Sequence, residues 1–256
     1  MPTPKKPSLP RLLDVEKTLA EIADPIRAAS SLRFFKTGKG DYGEGDRFLG
    51  ITVPDQRAVA KRFLALPLAA AARLLDSPWH EHRLTALFIL VFRYAKALPP
   101  EKKAIHGIYL QALKRNKVNN WDLVDSSAEC LVGAHFADAQ GGLKPSGRAH
   151  LLRMAHSGHL WTRRVAMIAT FHQIKRRSFE DALAIADILR GDKHDLMHKA
   201  VGWMLREIGK RDLPSLRRFL DKHAATLPRT ALRYALERMA DAERRKYMAA
   251  KAGKPG

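Results

Sequence analysis

From about Leu12 to Met248 the apolar residues of this chain return every three or four positions, and almost nowhere do they alternate with polar ones. That spacing lines one face of an α-helix, whereas a half-buried strand needs a period of two, so the pattern predicts an all-α fold. Breakers at Pro67, Pro78, Pro99-Pro100, Pro145, Gly158, Gly191, Pro214 and Pro228 cut the pattern into helices of roughly 10 to 20 residues. One longer irregular stretch, KTGKGDYGEGDRFLG from Lys36 to Gly50, precedes a helix with Pro54 in its first turn, where a missing N–H does no harm.

Beyond Pro67 the helices are expected in pairs, with longer apolar members opening near Trp79, Trp121, Leu160, Asp195 and Pro228, each after a shorter one. The resulting period of about 33 to 42 residues is that of HEAT-type helix pairs, in which stacked neighbours bury each other's faces. An unrelated helical bundle has the same local periodicity. The expected architecture is a HEAT-like-repeat superhelical solenoid of antiparallel helix pairs with a concave basic face. A single domain over residues 11–250 is expected, flanked by a basic, disordered stretch at 1–10 and a loose one at 251–256.

The 256 residues include 46 Lys+Arg against 26 Asp+Glu, a formal charge of +20, which points to an acidic partner. At 46% hydrophobic residues the chain can bury a full core, and wholesale disorder is excluded. Its longest apolar run, Ala86 to Phe92, is less than half of the ~20 residues a membrane helix needs. The opening MPTPKKPSLPR lacks the apolar segment of a secretory signal, and a lone Cys130 forms neither an internal disulfide nor a cysteine metal cage. The expected setting is the reducing cytoplasm.

On a continuous helix from Trp121 to about Asp138, Trp121, Val124, Ala128, Leu131, Val132 and Phe136 form an apolar arc. Asp125 falls inside that arc, with Asp122 and Glu129 at its edge. A carboxylate aimed there needs a cationic or hydrogen-bonding partner, or a cleft that something else fills. It is therefore either a structural Asp or a functional one. The following helix aligns Trp161, Arg164, Ile168, Phe171 and Lys175, which makes Arg164 a natural neighbour for Asp125. The next aligns Lys199, Trp203, Arg206 and Lys210. Tryptophan between cations suits a polyanion with apolar sugars, although core packing and solvated stems explain the same stripes. Lys117 and Arg163, with the runs Lys114-Arg115, Arg176-Arg177, Lys210-Arg211, Arg217-Arg218 and Arg244-Arg245-Lys246, are further candidates for phosphates.

Three patterns carry less. Gly38-x-Gly40-x-x-Gly43 has no preceding strand and reads as a loop. His194 and His198 share a helix face, but Asp195 stands where a zincin requires Glu, and no third ligand accompanies them. His80 with His82, and His156 with His159, are no stronger, and Cys130 has no basic neighbour to activate it.

Together the segments YGEGDRFLGITVPDQR from Tyr42, NNWDLVDS from Asn119, LWTRRVA from Leu160 and KAVGWMLREIGK from Lys199 resemble the AlkD family of bacterial DNA alkylation repair enzymes. The resemblance runs from about Phe34 to about Arg211. The family often has an aromatic directly before its WD pair, where this chain has Asn119-Asn120. It implies a HEAT-like-repeat glycosylase for alkylated purines, with Asp125 as catalytic carboxylate, Trp121 and Trp203 flanking the lesion's sugar, and Arg164 as basic partner. Arg163, Lys175, Lys199, Arg206, Lys210, Lys117 and Tyr42 are the expected DNA contacts. The implied partner is double-stranded DNA with alkylated bases, bound by a monomer without cofactor or metal, in a bacterial nucleoid. The rival readings are a non-catalytic protein binding duplex or branched DNA and a scaffold for an acidic protein.

Overall fold

The computed structural model describes residues 9–250, so the expectations for the stretches MPTPKKPS and KAGKPG lie outside the described residues. The described residues form two compact units, meeting in sequence between Ser127 and Ala128. Their regular structure is helical throughout, consistent with a repeat of helix pairs. Unit one contains α1 (Leu12–Glu21), α2 (Pro25–Phe34), α3 (Val53–Arg62), α4 (Leu68–Leu75), α5 (His80–Lys96), α6 (Pro99–Lys114) and the one-turn α7 (Trp121–Asp125). Unit two opens with a π-helical turn, Glu129–Gly133, followed by α8 (Pro145–Ala155), α9 (Leu160–Ala169), α10 (Phe171–Lys175), α11 (Glu180–Leu189), α12 (Asp195–Gly209), α13 (Leu213–His223), α14 (Arg229–Ala235) and α15 (Asp241–Ala249).

The breakers act as their chemistry requires. Pro99 and Pro145 open α6 and α8, Pro214 sits in the first turn of α13, and Pro67 and Pro228 cap α4 and α14. Within unit one, α5 packs on α3, α4 and α6, and its apolar run is core: Leu84, Leu87, Phe88, Ile89 and Leu90 are at most 1% exposed. Among the described residues no helix is long and apolar enough to cross a membrane. Within unit two, α12 buries Met197, Ala200, Val201, Met204, Leu205 and Ile208 against α9, α11, α13 and α14.

The expected alternation of short and long helices is not general. α5 and α12 exceed the helices before them, but α7 is five residues long after the 16-residue α6, and α14 has seven. The helix expected from Trp121 to Asp138 is also not continuous. It stops at Asp125, and the next segment is a π-turn closed by the Ala134 N–H on the Glu129 carbonyl at 2.9 Å. Gly133 belongs to that turn because a Cβ there would stand 2.1 Å from the Ala169 carbonyl oxygen, while its own carbonyl accepts the Gln173 side-chain amide at 3.0 Å. Since a wide turn breaks the 100° advance per residue, Phe136 leaves the arc assigned to it and packs on Gly147 and the His150 ring.

Candidate functional site

The segment around Asp125 is shaped by unit one. Buried Asn120 caps α7, its side-chain oxygen accepting the Trp121 N–H at 2.8 Å, and the Ser127 hydroxyl closes the other end on the Leu123 carbonyl at 2.5 Å. Trp121 is half-buried. Phe35 stacks on its indole at 5.6 Å between ring centroids, and Phe34 meets it edge-on at 5.9 Å. Phe35 in turn stacks on Phe48 at 5.0 Å, and Phe48 on His80 at 4.8 Å. An aromatic column therefore runs from a buried imidazole to Phe34, which is 65% exposed. Phe34 and Phe35 were legible only as adjacent aromatics ahead of a glycine-rich loop, and nothing in their spacing ties them to Trp121.

Asp125 is half-buried at the last position of α7. Burial pushes the Tyr109 hydroxyl above its ordinary range; a hydrogen bond with Ser127 opposes this, and the Asp125 charge adds to the rise. Asp122, placed at the edge of the arc by sequence, is instead buried, and its carboxylate meets His80 Nε2 at 2.8 Å. Asp46 meets the other ring nitrogen, Nδ1, at 3.1 Å and accepts from Arg83 at 2.7 Å; Arg83 also donates to Asn119 at 3.2 Å. Burial alone would strip the proton from His80. The charge and hydrogen bond of Asp122, with the hydrogen bond of Asp46, outweigh it and raise the imidazole to about 9. Asp46 is held below the usual carboxylate range: burial raises it, but the His80 hydrogen bond and the Arg83 charge prevail. His80 thus donates from both nitrogens.

The motif from Tyr42 to Arg57 is largely a set of structural fastenings. Glu81, 3% exposed, accepts the backbone N–H groups of Leu49, Gly50 and Ile51 at 2.9, 2.8 and 3.3 Å. Thr52 caps α3, and Gln56 returns a side-chain bond to the Ile51 carbonyl at 2.9 Å. Gly50 has φ +78° and backs onto α2, where a Cβ would stand 2.1 Å from the Asp24 carbonyl oxygen. Tyr42 is half-buried within this loop, and the Gly38–Gly43 pattern lies in its turns.

In unit two, α12 turns Lys199, Trp203, Arg206 and Lys210 away from its core face. Trp203 is half-buried against Phe171 at 5.8 Å, and the Lys175 ammonium sits 4.9 Å from the Phe171 ring centroid. The stripe on α9 and α10 divides: Trp161 and Ile168 are core, whereas Phe171 and Lys175 reach the surface. Arg164 is 4% exposed and donates to the Leu196 carbonyl. His194 accepts the Leu196 N–H at the start of α12, and His198 donates to the Asp192 carbonyl at 2.6 Å, so both imidazoles serve the backbone.

The cations expected on DNA have intramolecular partners. Lys175 pairs with Glu129, Lys199 with Asp195, Arg206 with Glu237 and Lys210 with Glu207, while Lys117 donates to the Asp76 carbonyl. Arg163 is the most committed, with its fork on the buried Asp192 carboxylate and a further nitrogen on the Ser157 and Gly158 carbonyls.

These features belong to an all-helical protein with a large surplus of cations. The chain belongs to the DNA alkylation repair enzyme family, whose model matches residues 15–239. Membership supports enzymatic activity in DNA repair, with DNA as substrate. A solved structure described as a predicted DNA alkylation repair enzyme from Enterococcus faecalis shares the fold at a TM-score of 0.63 and 17% identity, over 86% of this chain and 97% of that one. No curated protein matches the chain.

Proposed function

We propose that this protein is a monofunctional DNA glycosylase that hydrolyses the N-glycosidic bond of cationic N3- and N7-alkylated purines in duplex DNA, with Asp125 as its catalytic carboxylate. The supporting observation is the placement of Asp125 on the same one-turn helix as Trp121, whose indole is clamped by Phe34 and Phe35, in a chain of this family. Alkylation at N3 or N7 makes the purine a cation and a good leaving group, so the bond breaks without a general acid. Positive charge then gathers on the deoxyribose. An oriented carboxylate stabilises that transition state by about 3 kcal/mol or more and positions the attacking water. The face of an indole favours the same charge by a further ~0.5 to 2 kcal/mol. Trp203 beside the sugar and Arg164 as the basic partner enter the proposal through the family's motifs. None of these roles offers an amine nucleophile, hence an abasic product and no lyase step. A concave basic face on a superhelix of helix pairs is the DNA-holding surface in this reading.

The test is release of 7-methylguanine from methylated duplex DNA by the wild type and by Asp125→Asn. The expected result is bound DNA and a rate lowered on the order of a hundredfold. Wild-type release by the variant would remove Asp125 from the chemistry and leave a DNA-binding protein.

A further inference from the structure

We propose that His80, held between the carboxylates of Asp46 and Asp122, is the positioning residue that aims Asp125 and Trp121. This rests on the reading of Asp125 as the catalytic carboxylate. A helix of one turn does not hold its own shape in water, because the cost of its nucleus is not recovered by propagation. The direction of α7 must therefore be imposed from outside. Asn120 and Ser127 act on its backbone ends and Phe35 on one ring. The buried ionic anchor comes from His80, at the first turn of α5, through Nε2 to Asp122 at 2.8 Å.

The arrangement has an electrostatic role as well. Asp122 and Asp125 are three residues apart, on neighbouring positions of one helical face. The imidazolium on Asp122 balances one of the two negative charges that this one-turn helix carries. The charged groups facing His80 are Asp46 from the loop before α3, Asp122 from α7 and Arg83 from its own helix; Phe35 and Phe48 cover the ring. Glu81, its neighbour in sequence, is turned to the backbone of Leu49–Ile51. His80 is thus a cation with two fixed anions and little water, and its proton is retained until about pH 9. Losing that proton weakens the hold on Asp122 and frees α7 to tilt.

The experiment is single-turnover release of 7-methylguanine between pH 6 and 9.5, corrected for spontaneous loss, with saturating protein. In the wild type the rate should hold through neutrality and fall near pH 9. His80→Gln should lower the neutral-pH rate on the order of tenfold to a hundredfold, abolish the alkaline fall and change DNA affinity less than twofold. Asp122→Asn keeps the Asp46 pair but removes the second anion, so the alkaline fall should move toward neutral pH. His80→Lys, which keeps a cation between the carboxylates, should recover part of the rate. If His80→Gln does not fold, the Asp122→Asn profile decides the question. A wild-type rate and an unchanged alkaline fall in either variant, with Asp125→Asn inactive, would overturn the positioning role while sparing the catalytic one. An active Asp125→Asn protein would overturn the reading beneath it.

Discussion

Removing the carboxylate of Glu81 should unfasten the loop between α2 and α3 at its C-terminal end. Its two oxygens take three consecutive N–H groups, from Leu49, Gly50 and Ile51, in a place where water does not substitute for them. In Glu81→Ala each orphaned N–H costs about 1 to 3 kcal/mol. Relief from no longer burying a carboxylate offsets a few kcal/mol of that sum. The net loss should be about 4 kcal/mol, at the upper end of single-substitution effects, or roughly 10 °C of melting temperature for a chain of this size. Glu81→Gln keeps one acceptor oxygen and turns an amide donor toward the remaining N–H groups, so about half that loss is expected. Amide hydrogen exchange gives the local reading. Protection should collapse at Leu49, Gly50 and Ile51 while the amides of α12 keep theirs. If both variants melt with the wild type, or if those three amides stay protected, the carboxylate is not what holds the loop.

The remaining predictions concern charge, close packing and phosphate contacts. Because the folded pKa of His80 lies above its unfolded value of 6.5, its stabilisation is complete below pH 6.5 and is lost as pH rises toward 9. At 1.36 kcal/mol per tenfold the full effect is about 3 kcal/mol, measurable in urea melts at pH 6 and 9.5 and absent from His80→Gln. Gly202→Ala puts a Cβ 2.4 Å from the Ala231 carbonyl oxygen and 2.5 Å from Tyr234 Cβ, and Gly133→Ala meets the Ala169 oxygen. Each should cost about 1 to 3 kcal/mol, whereas Gly107→Ala, exposed in α6 with nothing near it, should stabilise by about 0.5 to 1 kcal/mol in thermal melts. In DNA-binding titrations, Lys175→Ala and Lys210→Ala should each flatten the log–log salt slope by about 1. Arg163→Ala should lower the melting temperature more than it lowers affinity.

How far the site could be read from the letters depended on the range of the interaction. The starts of α5, α7, α9, α12 and α14 fall within a residue of their expected positions because prolines, caps and apolar spacing act locally. The break after Asp125 was not local: it goes with a glycine-backed π-turn whose carbonyl is claimed by Gln173, 40 residues on. A projection that assumes one unbroken helix therefore placed Phe136 on an arc it does not occupy, while Asp122, ahead of the break, is buried by a partner on α5 that no projection of its own helix shows. Asp46, His80 and Asp122 are bonded across 34 and 42 residues, and each letter alone has a bland reading. The same limit governs the charge. A surplus of twenty cations says that an anion is wanted somewhere, but not which side chains are available to it, because that depends on partners set by the fold. Lys175 is exposed and held by an ion pair of the kind worth about 0 to 1 kcal/mol in water, which a phosphate can displace, and exposed Lys210 can leave the 8% exposed Glu207 carboxylate because Arg211 still holds it. The Arg163 fork rests on a carboxylate that is only 6% exposed, and releasing it would strand that charge. Two arginines adjacent in sequence, 163 and 164, thus differ from those lysines in what they can give to DNA, since one holds Asp192 and the other the Leu196 carbonyl.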